Sequence, residues 1–181
     1  MGSSSFNVVW LTGMSGSGKS TLAEYIKKNY KVCIVDGDDV RDKDIEKLGF
    51  GREDVLKNNV RIANFCLELK SKGFNLVLVP VISPYEEVRS KVREILEPNL
   101  CLVYIKVGID VLRERDTKGL YAAADNKMIN NLIGYSDTNP YDEPNNAEIV
   151  IDTSNETLSN SKSGLICYLE EHINKKNITT S

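Results

Sequence analysis

The segment Gly13-Met14-Ser15-Gly16-Ser17-Gly18-Lys19-Ser20-Thr21 follows directly on the apolar run Val8-Val9-Trp10-Leu11. Few folds accommodate a buried strand that breaks into a glycine-rich turn and restarts at once as a helix. The segment fits G-x-x-x-x-G-K-[ST] at every fixed position: Gly13, Gly18, Lys19 and Ser20. Its glycines permit a sharp turn that points successive N–H groups inward, where they and the start of the next helix can hold phosphate oxygens. Gly13, Ser15, Gly16, Ser17, Gly18, Lys19, Ser20 and Thr21 are therefore the predicted binding residues for a nucleoside triphosphate. Lys19 would add a point charge to the phosphates, and Ser20 a hydroxyl for Mg²⁺. The plainer alternative, a Gly/Ser turn with no ligand, does not account for the strand before, the helix after and all four fixed positions together.

Apolar, β-branched runs recur at 8–12, 32–35, 76–82, 102–107 and 148–151, each of strand length. Helical patterns separate them. One continues the phosphate loop over 21–29, and another carries Val55, Ile62, Cys66 and Leu69 ahead of Lys72-Gly73. A third is predicted to be capped by Ser83, opened by Pro84 and closed by Glu86 as a capping box. A last helix should cover Ser159 to about Asn174, followed by a polar tail over roughly 175–181. The alternation predicts an α/β fold with a parallel sheet covered by helices on both faces and ligands at the carboxyl ends of the strands. A length of 181 residues suits one domain. The formal net charge of −3 argues against nucleic acid or an anionic membrane as partner and favours a small molecule. Four cysteines with no C-x-x-C pair suit a reduced, cytoplasmic protein.

Carboxylates emerge where the second strand should end, in Asp36-Gly37-Asp38-Asp39-Val40-Arg41. An isolated Asp-Gly turn would simply be solvated. Beside a phosphate loop it becomes a catalytic edge. Phosphoryl transfer needs a carboxylate that accepts the acceptor hydroxyl's proton or faces Mg²⁺, and a cation that offsets the moving charge. Asp36 or Asp38 can serve as the first and Arg41 as the second, which with Lys19 makes four candidate catalytic residues and leaves Ser20 and Asp36 on the metal side.

Further motifs follow in order: Leu48-Gly49-Phe50; Asp54, Asn58 and Arg61; Ile82-Ser83-Pro84-Tyr85 with Arg89 and Arg93; Arg115-Asp116 and Lys118-Gly119-Leu120-Tyr121; Pro140-Tyr141, Glu143-Pro144 and Asp152-Thr153. On these residues the chain resembles the adenylyl-sulfate kinase family, P-loop kinases that use ATP to phosphorylate the ribose 3′-hydroxyl of adenosine 5′-phosphosulfate. The resemblance implies a three-layer P-loop NTPase fold with a five-stranded, mostly parallel sheet, and ATP with Mg²⁺ as cofactors. It implies an acceptor nucleotide held by Arg41, Phe50, Asn58, Ile82 and Lys118, and it is the sole ground for adding Ser83 to that group. Arg115 on the ATP side, a lid over about 115–140 and a homodimer are likewise implied.

The departures fall on the acceptor side. Val55 stands where the family has an Arg that grips the acceptor's anionic group. A charge-assisted hydrogen bond contributes roughly 1.5–3 kcal/mol, so its unreplaced loss costs about tenfold or more in binding. Leu132 aligns with a Phe that stacks on the acceptor's adenine, Ala122-Ala123-Ala124-Asp125 replaces basic lid residues, and Pro80-Val81 stands where Ser-Phe is common. Arg52 or Lys57 could compensate from the same helix. Relatives in bacterial capsule biosynthesis phosphorylate the 3′-hydroxyl of cytidine diphosphoramidate, an acceptor that suits a weaker adenine stack and a missing sulfate-side Arg. Adenylyl sulfate and cytidine diphosphoramidate both stay open as acceptors at this point, as does a catalytically silent nucleotide-binding module. Asp116-Thr117-Lys118-Gly119 spells the D-x-x-G of a GTPase switch, but it comes too late in the chain and no N-K-x-D follows it.

Overall fold

In the computed structural model, which describes residues 6–37, 40 and 48–173, the apolar runs pair into one five-stranded sheet. The strands are β1 (Asn7–Thr12), β2 (Cys33–Ile34), β3 (Leu76–Pro80), β4 (Leu100–Lys106) and β5 (Ile149–Asp152). Their order is β2-β3-β1-β4-β5 and every pairing is parallel. The helices described are α1 (Lys19–Asn29), α2 (Arg52–Ser71), α3 (Glu86–Leu96), α4 (Ile109–Arg115), α5 (Leu120–Asp125) and α6 (Leu158–His172).

Alternate residues of the central strands feed two separate cores. Val8, Trp10, Val77, Val79 and Leu102 pack with Ile62 and Cys66 of α2 and Val92 and Leu96 of α3. Val9, Leu11, Leu78, Val103 and Ile105 meet Leu22 and Ile26 of α1 and Leu165 and Leu169 of α6. Burial on both faces is why β1 reads as a continuous apolar run rather than an alternating one. The layers are therefore α2–α3, sheet, α1–α6, the arrangement expected of the sequence. Because β1 lies between β3 and β4, the chain leaves it on both sides, and the crevice beyond its carboxyl end is where such sheets bind ligands.

Two local expectations change. β3 ends at Pro80 rather than Ile82, because Ser83 adopts a left-handed φ of +46° and turns the chain. For the same reason Ser83 does not cap α3, whose N-cap is Tyr85 without a side-chain bond. The capping carboxylate comes from far along the chain: Asp142 Oδ2 accepts from the Glu86 N–H at 3.2 Å. Glu86 instead accepts from Arg89, whose buried guanidinium also donates to the carbonyls of Ser83 (2.8 Å) and Asp142 (2.7 Å). Arg89 thus clamps the turn after β3 to the returning 140s segment. Asp38, Arg41 and the polar tail lie outside the described residues.

Candidate active site

Beyond the carboxyl ends of β1, β2 and β3 opens a cavity of about 320 Å³. One end of it is the glycine-rich turn. Gly13 packs so closely on β4 that a Cβ there would stand 2.6 Å from the Ile105 carbonyl oxygen, so no other residue fits. Gly18, with φ +101°, sends the chain straight into α1 and leaves Ser20 and Thr21 exposed to the cavity. Lys19 is 8% exposed and folds over its own loop, its Nζ donating to the carbonyls of Gly13 (2.8 Å) and Met14 (2.7 Å). The loop is braced from behind. Tyr121 Oη donates to the Ser15 carbonyl at 2.7 Å, and Thr153 Oγ1 to that of Ser17 at 3.3 Å. Burial raises the Tyr121 phenol's pKa, so it remains a donor at neutral pH.

Ser15, Gly16, Gly18, Lys19, Ser20 and Thr21 all line the cavity, as the sequence predicts. Gly13 and Ser17 are buried just behind it and shape the turn. Asp36 lines the cavity from the end of β2. Among the described residues no group of three or more His, Cys, Asp or Glu side chains could hold a metal by itself. One hydroxyl, Ser20, and one carboxylate, Asp36, suit an ion such as Mg²⁺ that arrives with phosphates and keeps waters of its own.

The opposite end is assembled from scattered segments. Asp54, in the first turn of α2, accepts from the Gly49 N–H at 3.1 Å and so fixes the Leu48-Gly49-Phe50 turn, with Phe50 49% exposed at the cavity. Asn58 and Ile82 line the wall as predicted, and Ser83 joins them with its Oγ buried and without a hydrogen-bond partner among the described residues. Lys118 and Thr117 reach the cavity from the turn between α4 and α5. Asp116 holds that turn by accepting from the N–H groups of Tyr121 (3.1 Å) and Ala122 (2.9 Å). D-x-x-G is thus a helix-capping turn and not a nucleotide switch.

Besides Gly13 and Ser17, two predicted residues among those described do not line the cavity. Leu132 is buried against Leu112 and Tyr121, and the apolar side chain that lines the wall is its neighbour Ile133. Arg115 donates to the Thr153 carbonyl at 2.7 Å, behind the phosphate loop. Asn59 and Ile133 were missed. Asn59 was legible as a polar residue inside an apolar helix face, whereas Ile133 carries no sequence signal. Val55 is 2% exposed, packs on Tyr85 and Val88, and borders the cavity as well. Neither candidate for compensation lines the wall. Arg52 donates to Glu87 at 2.6 Å and lies 4.4 Å from the Tyr85 ring centroid, and Lys57 points to solvent. Asp125, at the end of α5, accepts from the Tyr135 hydroxyl (2.6 Å) and Arg113 (2.8 Å), bonds that hold its carboxyl below the usual range. It thereby ties α5 to α4 and to the stretch that carries Tyr135.

A phosphate cradle at the carboxyl end of the central parallel strand, with a lysine, a serine hydroxyl and a facing carboxylate, is the donor site of a P-loop phosphotransferase. The comparisons narrow the class. A family model described as Adenylylsulphate kinase matches residues 5–152. The adenylyl-sulfate kinase of Halothermothrix orenii is 39% identical over 168 residues, covering 90% of this chain and 89% of that protein. That of Staphylococcus epidermidis is 39% identical over 171 residues, covering 91% and 84%. Among solved structures, the Mycobacterium tuberculosis APS kinase in complex with AMPPNP and APS superposes with a TM-score of 0.79 at 30% identity, covering 92% of this chain and 98% of that one. The chain belongs to the adenylyl-sulfate kinase family. It is a phosphotransferase acting on a hydroxyl group, with ATP and Mg²⁺ as its cofactors. No helix among the described residues is long and apolar enough to cross a membrane.

Proposed function

We propose that the chain transfers the γ-phosphoryl group of ATP to the ribose 3′-hydroxyl of adenylyl sulfate. The observation that carries this reading is the single cavity with a phosphate cradle at one end and, at the other, Phe50, Asn58, Ile82 and Ser83 in the positions that the family gives to the acceptor. Relatives named adenylyl-sulfate kinase at 39% identity support the choice of acceptor.

In this reading the ATP phosphates lie on the N–H groups of residues 15–21, and Lys19 exchanges its two loop carbonyls for phosphate oxygens. Ser20 and Asp36 hold the metal side, and Mg²⁺ there neutralises phosphate charge. The acceptor base packs on Phe50, Asn58 and Lys118 orient the nucleotide, and the segment 115–140 closes over it as a lid that excludes water. Asp36 or Asp38 takes the proton of the attacking hydroxyl while Arg41 offsets charge; for Asp38 and Arg41 the assignment rests on sequence. Because the transition state is loose, positioning and charge neutralisation supply most of the rate. The chain acts as one domain, as a homodimer and in the cytoplasm, where its four free thiols stay reduced. Sedimentation equilibrium checks the dimer.

A second reading, cytidine diphosphoramidate as acceptor, is favoured by one observation: Val55 stands where a sulfate-side cation would be, and neither Arg52 nor Lys57 replaces it at the wall. Leu132 no longer contributes to that argument, since it lies outside the cavity. ADP release is measured with adenylyl sulfate, cytidine diphosphoramidate and their parent nucleotides in parallel, and the new phosphate is then located. A higher kcat/KM for adenylyl sulfate with phosphate on the 3′-oxygen is the expected result. A higher value for cytidine diphosphoramidate establishes the second reading. ADP release that no acceptor stimulates leaves a nucleotide-binding module.

A further inference from the structure

Asn59 is an amide of which only one half is used. Its Nδ2 donates to the Val55 carbonyl one turn earlier at 2.8 Å, which fixes which way the amide points. Its Oδ1 is then buried and has no hydrogen-bond partner among the described residues. Asn58 repeats the pattern, with Nδ2 toward the Gly37 carbonyl at 3.5 Å and Oδ1 buried without a partner. Both residues are 2% exposed and both line the cavity next to Val55.

A buried acceptor left unpaired destabilises a fold, and Asn is also a poorer helix residue than the apolar side chains around it. Val55, Ile62, Ala63 and Cys66 show what packing alone selects on this helix. Asn58 and Asn59 thus give this stretch of the cavity wall two neutral amides whose oxygens are buried and lack a partner among the described residues. Such oxygens repel a sulfate or phosphate oxygen and are completed by an N–H.

We propose that Asn59 is a specificity-determining residue of the acceptor site, its Oδ1 acting beside that of Asn58 to take N–H donors from the bound acceptor nucleotide. The proposal rests on the reading of this cavity as a nucleotide acceptor site. The donor is either an exocyclic amine of the base or a nitrogen carried on the terminal phosphate. Two matched pairs separate the sources: adenylyl sulfate against its purine riboside counterpart, which has hydrogen in place of the base amine and no N1–H, and cytidine diphosphoramidate against cytidine diphosphate, which lacks the phosphate nitrogen.

KM and kcat are measured for all four with the wild type, Asn59→Leu and Asn59→Ala, together with acceptor binding by calorimetry in the absence of ATP and the melting temperature of each protein. The wild type should prefer the N–H-bearing member of one pair by about tenfold or more, the size of a hydrogen bond whose buried partner would otherwise go unmet. Both variants should lose that preference through KM, with kcat for the analogue lacking the N–H unchanged. Equal use of both members in each pair by the wild type overturns the proposal whether or not the variants fold. A preference that survives in either variant also overturns it and makes Asn59 a packing residue. Acceptor-dependent ADP release without any N–H preference defeats this inference alone, whereas neither binding nor release with any of the four defeats the acceptor-site reading with it.

Discussion

The two ends of the cavity solve opposite problems. At the donor end a lysine is buried among its own loop carbonyls, and Tyr121 and Thr153 brace the loop from behind. Its ligand is highly charged and always the same, so the site is rigid and local. At the opposite end Phe50, Val55, Asn58, Ser83, Lys118 and Ile133, the proposed acceptor wall, come from five separate stretches of chain. Three of these stretches are held by polar contacts of their own: Asp54 for Phe50, Arg89 for Ser83, Asp116 for Lys118. A wall made this way can change one lining residue without disturbing the phosphate cradle, and the apolar Val55 is a residue of that kind.

The largest expected effect breaks the donor end. Lys19→Ala should lower kcat by about 10³-fold, the scale of losing one preorganised charge from a phosphoryl-transfer site, while circular dichroism stays native. Activity within a few-fold of wild type in that variant rejects the mechanism. Next in size is a stability effect that separates wall from core. Leu132→Ala should cost about 2–5 kcal/mol in urea unfolding, because the side chain is buried with Leu112 and Tyr121, and should leave acceptor KM unchanged. Ile133→Ala should do the reverse, raising acceptor KM with the smaller loss of stability. A rise in acceptor KM for Leu132→Ala would return that residue to the site.

That pair of variants also marks where the sequence stopped being informative. Gly13–Thr21 was legible because nine consecutive residues carry the whole function of the loop, so spacing alone encodes it. The strands were legible as apolar, β-branched runs, which burial on both faces produces most clearly in β1 and β3. Neighbouring residues on an irregular segment are a different matter. Between α5 and β5 no period says whether Leu132 or Ile133 faces the ligand, and only packing against α4 decides it. Ser83 failed as a helix cap for a related reason: Asp142, far along the chain, supplies the carboxylate, and the left-handed turn at Ser83 turns the chain toward the cavity. Arg115 matched a family motif, yet its side chain is bound to Thr153 behind the loop.

A smaller effect tests the exposed aromatic. Phe50→Ala should raise acceptor KM by about tenfold with ATP KM unchanged, since stacking an aromatic on a base contributes about 1–3 kcal/mol. The residue is half exposed, so stability should hardly move. Equal shifts in both KM values would mean that the turn held by Asp54 supports the whole site rather than the acceptor end.

The smallest effect concerns the brace between the two ends. Tyr121 belongs to helix α5, yet its hydroxyl donates to Ser15 in the phosphate loop, so it ties that helix to the cradle. Tyr121→Phe keeps the ring's edge-on contact with Tyr135 and removes only that bond, worth about 1 kcal/mol net. It should therefore lower kcat a few-fold and leave both KM values in place. The burial of the phenol has a pH signature. Burial raises the folded phenol's pKa above its unfolded value of about 10. Its contribution to stability is thus full below about pH 10 and is lost as pH rises through the higher folded value. Urea midpoints of the wild type should fall more steeply than those of Tyr121→Phe above that point. Parallel curves would show that the phenol ionises as freely in the fold as out of it, and that it is not buried in solution.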